Sequence, residues 1–278
     1  MAQTLQAFMK SPFTFMLLVL VTLCLCPAYA KLEKAKFWQK THFIQTEDDL
    51  RNIITKMAEN MQDEAYIKLD QALLDKGMPK GLAGSFFSCH VDRYRCSAKD
   101  KKGCIKFKIN FMDNAKILAA YRHPELLNRL TRDEQEALNV ALSCVKRVVK
   151  PGMSRREITR VLHDEIVRIC EYDKVGGCVN ALINHRGSCG SYAKSLSLML
   201  GMVGISSHII SGKNQDSGSP HAWNMVQMDE GKWYHVDVCK DDRFGGKEKP
   251  YKHFGVTDEH MEKLHRWNRY GYPPTPQQ

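Results

Sequence analysis

The hydrophobic pattern of the chain changes period near residue 205, and this change restricts the fold more than any other feature. Before it, capping boxes at Thr131 with Glu134 and at Ser154 with Glu157 precede apolar residues at helical spacing, and the second helix should end near Tyr172. After it, the runs "SHIIS", "HAWNMVQM" and "KWYHVDV" are rich in β-branched and aromatic residues, with Gly, Pro and Asp at their borders. We therefore predict an α+β fold in which helices pack on a mainly antiparallel sheet.

A smaller α+β unit is predicted before these helices. Thr46 and Asp49 form a cap-like pair at the start of a helical pattern, and apolar residues alternate with polar ones over residues 105–111, as in a half-buried strand. We expect residues 31–118 to form this N-terminal unit without chemistry of its own. Residues 119–278 should form the main domain.

The first 30 residues have the features of a secretory signal peptide. Lys10 precedes an apolar run from Phe13 to Cys26, and the small residues Ala28 and Ala30 follow, so we expect cleavage after Ala30. The alternative is a membrane anchor that stays attached, but the run is shorter than the roughly 20 residues of a spanning helix. We therefore expect the chain to be secreted, or to lie in the periplasm or cell envelope.

Basic residues outnumber acidic ones and give the chain a formal net charge of +10. The lysines are scattered, as on a solvated surface, except for one denser run at Lys99, Lys101, Lys102, Lys106 and Lys108. Because no zinc-finger or RNA-binding signature accompanies this run, we expect no nucleic-acid partner. Contact with a membrane is expected only if the signal segment is retained.

The cysteine spacing argues against a structural zinc site, since no two cysteines form a CxxC pair. Outside the signal peptide the cysteines are Cys89, Cys96, Cys104, Cys144, Cys170, Cys178, Cys189 and Cys239. Export permits one local bridge among the first three and another between Cys170 and Cys178, but the connectivity stays open. We also find no phosphate-binding loop or metal-ligand spacing, so we expect no cofactor and no metal.

Cys189 lies at the start of an apolar, helix-like segment in "RGSCGSYAKSLSLMLGMVGI". Gly187, Ser188 and Gly190 allow the backbone to turn sharply into this helix. At a helix N-terminus the macrodipole lowers the pKa of a thiol below its usual value of about 8.5, and the backbone N–H groups can stabilise an oxyanion. Cys189 is therefore a candidate nucleophile, although a disulfide partner or a small core residue would fit the same position.

The two runs that follow residue 220 predict a hairpin with a defined register. A short turn at Asp229–Gly231 would pair Met228 with Lys232, and the same ladder would place Ala222 opposite Val238. A slip by one residue would turn every side chain to the other face of the sheet.

On this register His221 and Asp237 lie on one face of the hairpin. They are close enough for the carboxylate to orient the imidazole, which is the arrangement that a nucleophilic thiol needs in its base. We expect His235 to face away from this pair. Trp223 and Trp233 should belong to the core or to the wall of the site.

The segments "GSCGSYAKSLSLMLGMVGI" and "HAWNMVQMDEGKWYHVDV" closely resemble the transglutaminase-like superfamily, in particular its bacterial exported members. "ITRVLHDEIVRICEYD" and "HFGVTDEHM" resemble the flanking segments of that family, so the resemblance extends over about Thr131 to Trp267. It implies a papain-like catalytic core in residues 119–278. In this core Cys189 would be the nucleophile, His221 the general base and acid, and Asp237 the orienting carboxylate.

Two positions beside these motifs depart from the family pattern. Ser191 stands where a glycine is common, and Cys239 with Lys240 stands where Thr-Trp often follows the aspartate. Neither change removes a member of the triad. Cys239 could form a disulfide with Cys189, which would silence the enzyme under oxidising conditions.

The resemblance implies thiol acyl transfer at an amide bond. With water as acceptor the enzyme would be a cysteine peptidase or amidase on protein or cell-wall peptide, which is the activity we expect. With an amine as acceptor it would be a protein-crosslinking transglutaminase. A catalytically silent binding protein of the envelope is the third alternative.

The signal-peptide pattern predicts that the mature chain begins at Lys31. N-terminal sequencing of the protein after export should return Lys31, and a sequence that begins at Met1 would contradict the prediction.

Overall fold

The computed structural model describes residues 37, 39–76, 91–243 and 251–277. The predicted signal peptide and Cys89 lie outside the described residues. Within the described part, none of the helices combines the length and the apolar character that crossing a bilayer requires. Helices and strands are both abundant, which confirms the predicted α+β class.

The N-terminal part is a four-stranded sheet with a helix packed on it. Its elements are β1 (Thr41–Ile44), α1 (Glu47–Glu59), β2 (Glu64–Leu69), α2 (Gln71–Asp75), β3 (Val91–Cys96) and β4 (Ile105–Phe111). The strand order is β1-β2-β4-β3, with β1 and β2 parallel and the other pairs antiparallel. The Thr46–Asp49 capping box and the alternating strand β4 are both confirmed. These elements share one hydrophobic cluster, in which Leu50, Ile67 and Phe107 are fully buried.

Helices build the centre of the rest of the chain. They are α3 (Asp113–Arg122), α4 (Arg132–Val148), α5 (Arg155–Ile169), α6 (Cys178–Ile183) and α7 (Cys189–Met202), with a 3-10 helix at Pro124–Arg129. Both predicted capping boxes are present, at Thr131 and at Ser154. The apolar helix α7 lies among the others, and its Leu196, Met199 and Leu200 are fully buried. Each such side chain contributes about 1.5–3 kcal/mol relative to exposure.

Helix α5 ends at Ile169 instead of near Tyr172, because Cys170 takes an extended conformation. The next two residues form β5 (Glu171–Tyr172), which pairs in parallel with β6 (Arg186–Gly187). This short ladder holds the chain directly before α7.

A five-stranded sheet packs against the helices. The elements after α7 are β7 (Ser207–Asn214), β8 (Pro220–Gln227), a 3-10 turn at Asp229–Gly231, β9 (Trp233–Val236), α8 (Val238–Arg243), β10 (Phe254–Val256), α9 (Asp258–Glu262) and β11 (His265–Trp267). Its strand order is β10-β9-β8-β7-β11, and every neighbouring pair is antiparallel. The predicted antiparallel sheet is therefore present.

The predicted hairpin register is confirmed. Asn224 lies opposite Val236, and the backbone N–H of Met228 donates to the carbonyl of Lys232. Strand β9 ends at Val236, however, so the predicted pair of Ala222 with Val238 does not form. Val238 is instead the first residue of α8.

The proposed division into an N-terminal unit and a catalytic domain stays a prediction. Its boundary at residue 118 falls inside α3, whose Ile117 belongs to the same buried cluster as α7. The two helices approach closely, since a Cβ added at Gly201 would lie 2.5 Å from the Leu118 side chain. We therefore place α3 with the helices that surround α7.

The Thr131 capping box predicts a measurable contribution to stability. Thr131→Ala leaves the Glu134 backbone N–H without its side-chain acceptor, so the free energy of unfolding should fall by about 1 kcal/mol in urea denaturation. Ser143→Ala, on the exposed face of the same helix, is the control and should change it by less than about 0.5 kcal/mol. Equal losses in the two variants would contradict the assignment.

Candidate functional site

Cys189 is the first residue of α7, as predicted, and the small residues around it fix this position. Ser188 is extended at the N-cap, and its backbone N–H donates to Ser191 Oγ at 3.2 Å. Ser191 Oγ in turn donates to the carbonyl of Val175 at 2.9 Å. A Cβ at Gly187 would lie 2.5 Å from Ser191 Cβ, so glycine is required there. Ser191, which departs from the family pattern, thus secures the turn into α7.

His221 and Asp237 meet as the hairpin register predicts. His221 Nε2 lies 2.7 Å from Asp237 Oδ2, and both side chains are buried. Asp237 is also the N-cap of α8, because its Oδ1 accepts the backbone N–H of Lys240 at 3.0 Å. The carboxylate therefore orients the imidazole and starts a helix at the same time.

The interaction between Cys189 and His221 completes the cluster and changes both pKa values. Burial would raise the pKa of the Cys189 thiol, but His221 and the backbone N–H groups of Ala222 and Gly190 leave that pKa below its usual value. Burial would lower the pKa of His221, but Asp237 and Cys189 raise it to about 9. The structure thus brings Cys189, His221 and Asp237 together. The two pKa shifts favour the charged forms of both groups, a thiolate and an imidazolium.

Asp237 stays ionised despite complete burial. Burial would raise its pKa, but hydrogen bonding and charge from His221, with contributions from His265 and the backbone N–H of Lys240, hold the pKa below its usual range. Burying an unpaired carboxylate would cost several kcal/mol of folding free energy, so Asp237 keeps its negative charge only because these partners are present.

Helix α8, which begins next to Asp237, is anchored on both of its acidic residues. Asp241 Oδ2 lies 3.1 Å from His163 Nε2, and its Oδ1 accepts the backbone N–H of His253 at 3.0 Å. Tyr192 on α7 donates to Asp242 and lies 2.9 Å from the carbonyl of Cys170. These contacts fix the helix that carries Asp237 relative to the helix that carries Cys189.

His235 does not face away, so that prediction is wrong. It lies two residues before Asp237 on β9, and residues two apart in a strand share a face. Trp223 Nε1 donates to His235 Nδ1 at 2.9 Å, and His235 Nε2 lies 2.7 Å from Asp258 Oδ1. Trp223 is fully buried beside His221, with the ring centroids 6.0 Å apart, and therefore forms a wall of the site as expected.

His265 is a part of the site that sequence reasoning missed. It lies on β11, where it pairs with Asn214 of β7, and its ring stacks on that of His221 at a centroid distance of 4.8 Å. Nothing in the segment "HRW" distinguishes this histidine from an ordinary strand residue. Its place is set by the pairing of a short edge strand with a strand far from it in sequence.

The described cysteines are thiols and form no disulfide with one another: Cys96, Cys104, Cys144, Cys170, Cys178, Cys189 and Cys239. The bridges considered for Cys170 with Cys178 and for Cys189 with Cys239 are therefore not formed. Burial raises the pKa of Cys170 to about 11 and that of Cys178 above its usual value. The pKa of Cys189 is instead shifted downward.

Among the described residues, one group of three could hold a metal ion: His221, Asp237 and His265. Two ligands at 2.0–2.1 Å from a tetrahedral zinc are about 3.3 Å apart. The 2.7 Å between His221 Nε2 and Asp237 Oδ2 is instead a hydrogen-bond distance. This spacing fits an oriented imidazole better than a pair of zinc ligands.

Part of the chain that contains the site matches the sequence profile of a known family. Residues 143–238, which include all three predicted site residues, match the sequence profile of the transglutaminase-like superfamily. The sequence matches none of the curated proteins significantly.

Several solved structures are similar to the chain, among them the following three. A transglutaminase crystal structure is 13% identical over 80% of this chain and 64% of its own length, with a TM-score of 0.37. Legionella pneumophila LapG is 13% identical over 55% and 78%, with a TM-score of 0.34. The periplasmic domain of TgpA from Pseudomonas aeruginosa is 15% identical over 53% and 65%, with a TM-score of 0.30. The chain thus spans less than two thirds of the first of these proteins.

The shifted pKa values predict which thiol reacts first. Below pH 8, iodoacetamide should alkylate Cys189 faster than Cys170 or Cys178, because only the Cys189 thiolate is stabilised. His221→Phe should slow the labelling of Cys189 by removing the group that lowers its pKa. Labelling followed by mass spectrometry against pH tests both expectations, with Cys170 as the slow internal control. Equal rates at Cys189 in the parent and in His221→Phe would contradict them.

Proposed function

We propose that the chain is a thiol acyl-transfer enzyme that acts on amide bonds, because residues 143–238 match the sequence profile of the transglutaminase-like superfamily. The observation that carries this proposal is the cluster of Cys189, His221 and Asp237: a thiol with a lowered pKa interacts with an imidazole that a buried carboxylate orients. This is the arrangement that nucleophilic thiol catalysis requires.

Each residue has a separate role in the proposed reaction. The Cys189 thiolate attacks the amide carbonyl, and backbone N–H groups at the start of α7 stabilise the oxyanion. His221 then donates its proton to the leaving ammonia or amine, and the acyl group remains on Cys189 as a thioester. In the second step His221 takes a proton from the acceptor, which attacks the thioester and regenerates the thiol. Asp237 holds the ring in the correct tautomer throughout.

We propose water as the acceptor, which makes the enzyme a cysteine peptidase or amidase on protein or cell-wall peptide. We further propose that it acts after export, as the pattern of residues 1–30 suggests. An amine would react with the same thioester in place of water, so transfer to an amine is measured beside hydrolysis.

The pH dependence follows from the two pKa shifts. The thiolate–imidazolium pair exists above the lowered pKa of Cys189 and below the pKa of His221, which is about 9. Activity should therefore extend to more acidic pH than an unassisted thiol allows, and it should fall as pH rises through about 9, where His221 loses the proton for the leaving group. A kcat/KM profile that keeps rising above pH 10 would contradict this role for His221.

The proposed roles predict unequal losses on mutation. Cys189→Ala should abolish product formation, whereas Asp237→Asn should retain a residual rate, reduced by about 10³–10⁴-fold, because the thiol remains but the imidazole takes the wrong tautomer. Cys144→Ala, which removes a buried thiol of α4 outside the cluster, is the matched control and should stay active.

The assay is release of ammonia or amine from glutamine-containing and cell-wall peptides, under reducing conditions, with and without an added primary amine. Free acid supports the peptidase or amidase, whereas incorporated amine would identify a crosslinking transglutaminase. Undiminished activity in Cys189→Ala would overturn the proposed mechanism. Binding of these peptides without any turnover would identify a silent binding protein.

A further inference from the structure

We propose that His265 is a positioning residue of the site, which donates a second hydrogen bond to Asp237 Oδ2 and supports the ring of His221 by stacking. The inference rests on the proposed function, because it assigns a role within the same cluster. The packing of the His265 ring carries this inference, and His265 belongs neither to the predicted triad nor to the segments that carry the family resemblance.

The His265 ring covers two side chains of β8 at once. It stacks on His221 with centroids 4.8 Å apart and an interplanar angle of 15°, and on Trp223 at 4.6 Å and 22°. Stacked aromatic pairs at these distances are stabilised beyond what their buried area alone gives. A ring held from one side by His265 and from its edge by Asp237 has little freedom to turn away from Cys189.

Gly212 on β7 allows this ring to cross from the edge strand to β8. It pairs with His221 on one side and with Trp267 on the other, so it lies between β8 and β11. A Cβ at Gly212 would lie 2.5 Å from the carbonyl oxygen of Arg266 and 2.8 Å from the Trp223 ring. Only glycine leaves room for the aromatic rings above this strand.

The ring nitrogens of His265 supply the second line of evidence. The side chain is 1% exposed, and neither nitrogen makes a hydrogen bond of good geometry. A buried polar atom without a partner is unfavourable, because it has lost its hydrogen bonds to water. Asp237 Oδ2, a charged acceptor, lies 3.3 Å from His265 Nε2, so a small tilt of the ring would bring the two into a hydrogen bond. His265 is therefore a donor to the oxygen that already accepts from His221.

Because His221 and His265 share Asp237 Oδ2, the second donor weakens the attraction between Asp237 and the His221 imidazolium. A carboxylate with two imidazole donors on one oxygen attracts each proton less than a carboxylate with one. Loss of the His265 donor should therefore strengthen the attraction between Asp237 and the His221 imidazolium. It should raise the pKa of His221 and move the alkaline limb of activity to higher pH.

The test uses the full chain, with the histidine rings labelled with ¹⁵N for NMR. His265→Phe keeps a stacking ring without donors, and the pKa of His221 should rise by about 0.5 unit or more. His265→Gln restores an amide donor near the position of Nε2 and should bring the pKa back toward the parent value. His208→Phe is the matched control, because the His208 ring packs against Trp233 and edge-on against Tyr272 outside the cluster, and it should leave the pKa of His221 unchanged.

A measurement on the parent protein keeps the inference testable if His265→Phe does not fold. The Nε2 proton of His265 should be visible as a slowly exchanging resonance, and Asp237→Asn should shift it together with that of His221. An unprotonated Nε2 in the parent, or an unchanged His221 pKa in folded His265→Phe, would overturn the inference. Neither measurement depends on turnover. The role of His265 can therefore be disproved while loss of activity in Cys189→Ala still supports the proposed enzyme.

Discussion

The fully buried carboxylate of Asp237 is the constraint around which the second half of the chain is organised. A charge in this position is tolerable only with several donors, and each donor comes from a different element: His221 from β8, the backbone of Lys240 from α8, and the nearby His265 from β11. Loss of any of these elements would leave the charge under-satisfied. The sheet order, which places β8 and β11 on opposite sides of β7, is thus tied to the stability of one ionised side chain.

The helices supply the complementary half of the site. Cys189 needs a helix start with little steric bulk before it, and the Gly187–Ser191 contact leaves no alternative to glycine there. The position of α7 is then fixed by its apolar surface and by Tyr192, which reaches Asp242 of α8. The thiol and the carboxylate therefore belong to two helices that hydrogen-bond to each other, and the imidazole lies on the strand between them.

Much of this arrangement could be predicted from local sequence rules. The capping boxes at Thr131 and Ser154, the helix start at Cys189 and the hairpin register depend on neighbours within a few residues, so pattern and turn length were sufficient. The predicted orientation of His235 was wrong. The same period-two rule, counted from Asp237, places His235 and Asp237 on one face of the strand, as the structure does.

Other features depended on tertiary structure or on a competing local role. Strand β9 ends at Val236 because Asp237 caps a helix. Aspartate is a common N-cap residue, so the sequence did contain a signal for a helix start that competed with the strand pattern. The position of His265 could not be predicted. It depends on the pairing of the three-residue edge strand β11 with β7, and the other strands of the sheet lie between these two in the sequence. The late position of β11 in the sequence also separates this ring from the three residues that it supports. Residues 189–237 contain the thiol, the imidazole and the carboxylate, whereas the ring that packs against His221 comes from β11. Until β11 joins the sheet, one face of the imidazole stays uncovered, so the last strand of the described sheet completes the surroundings of His221.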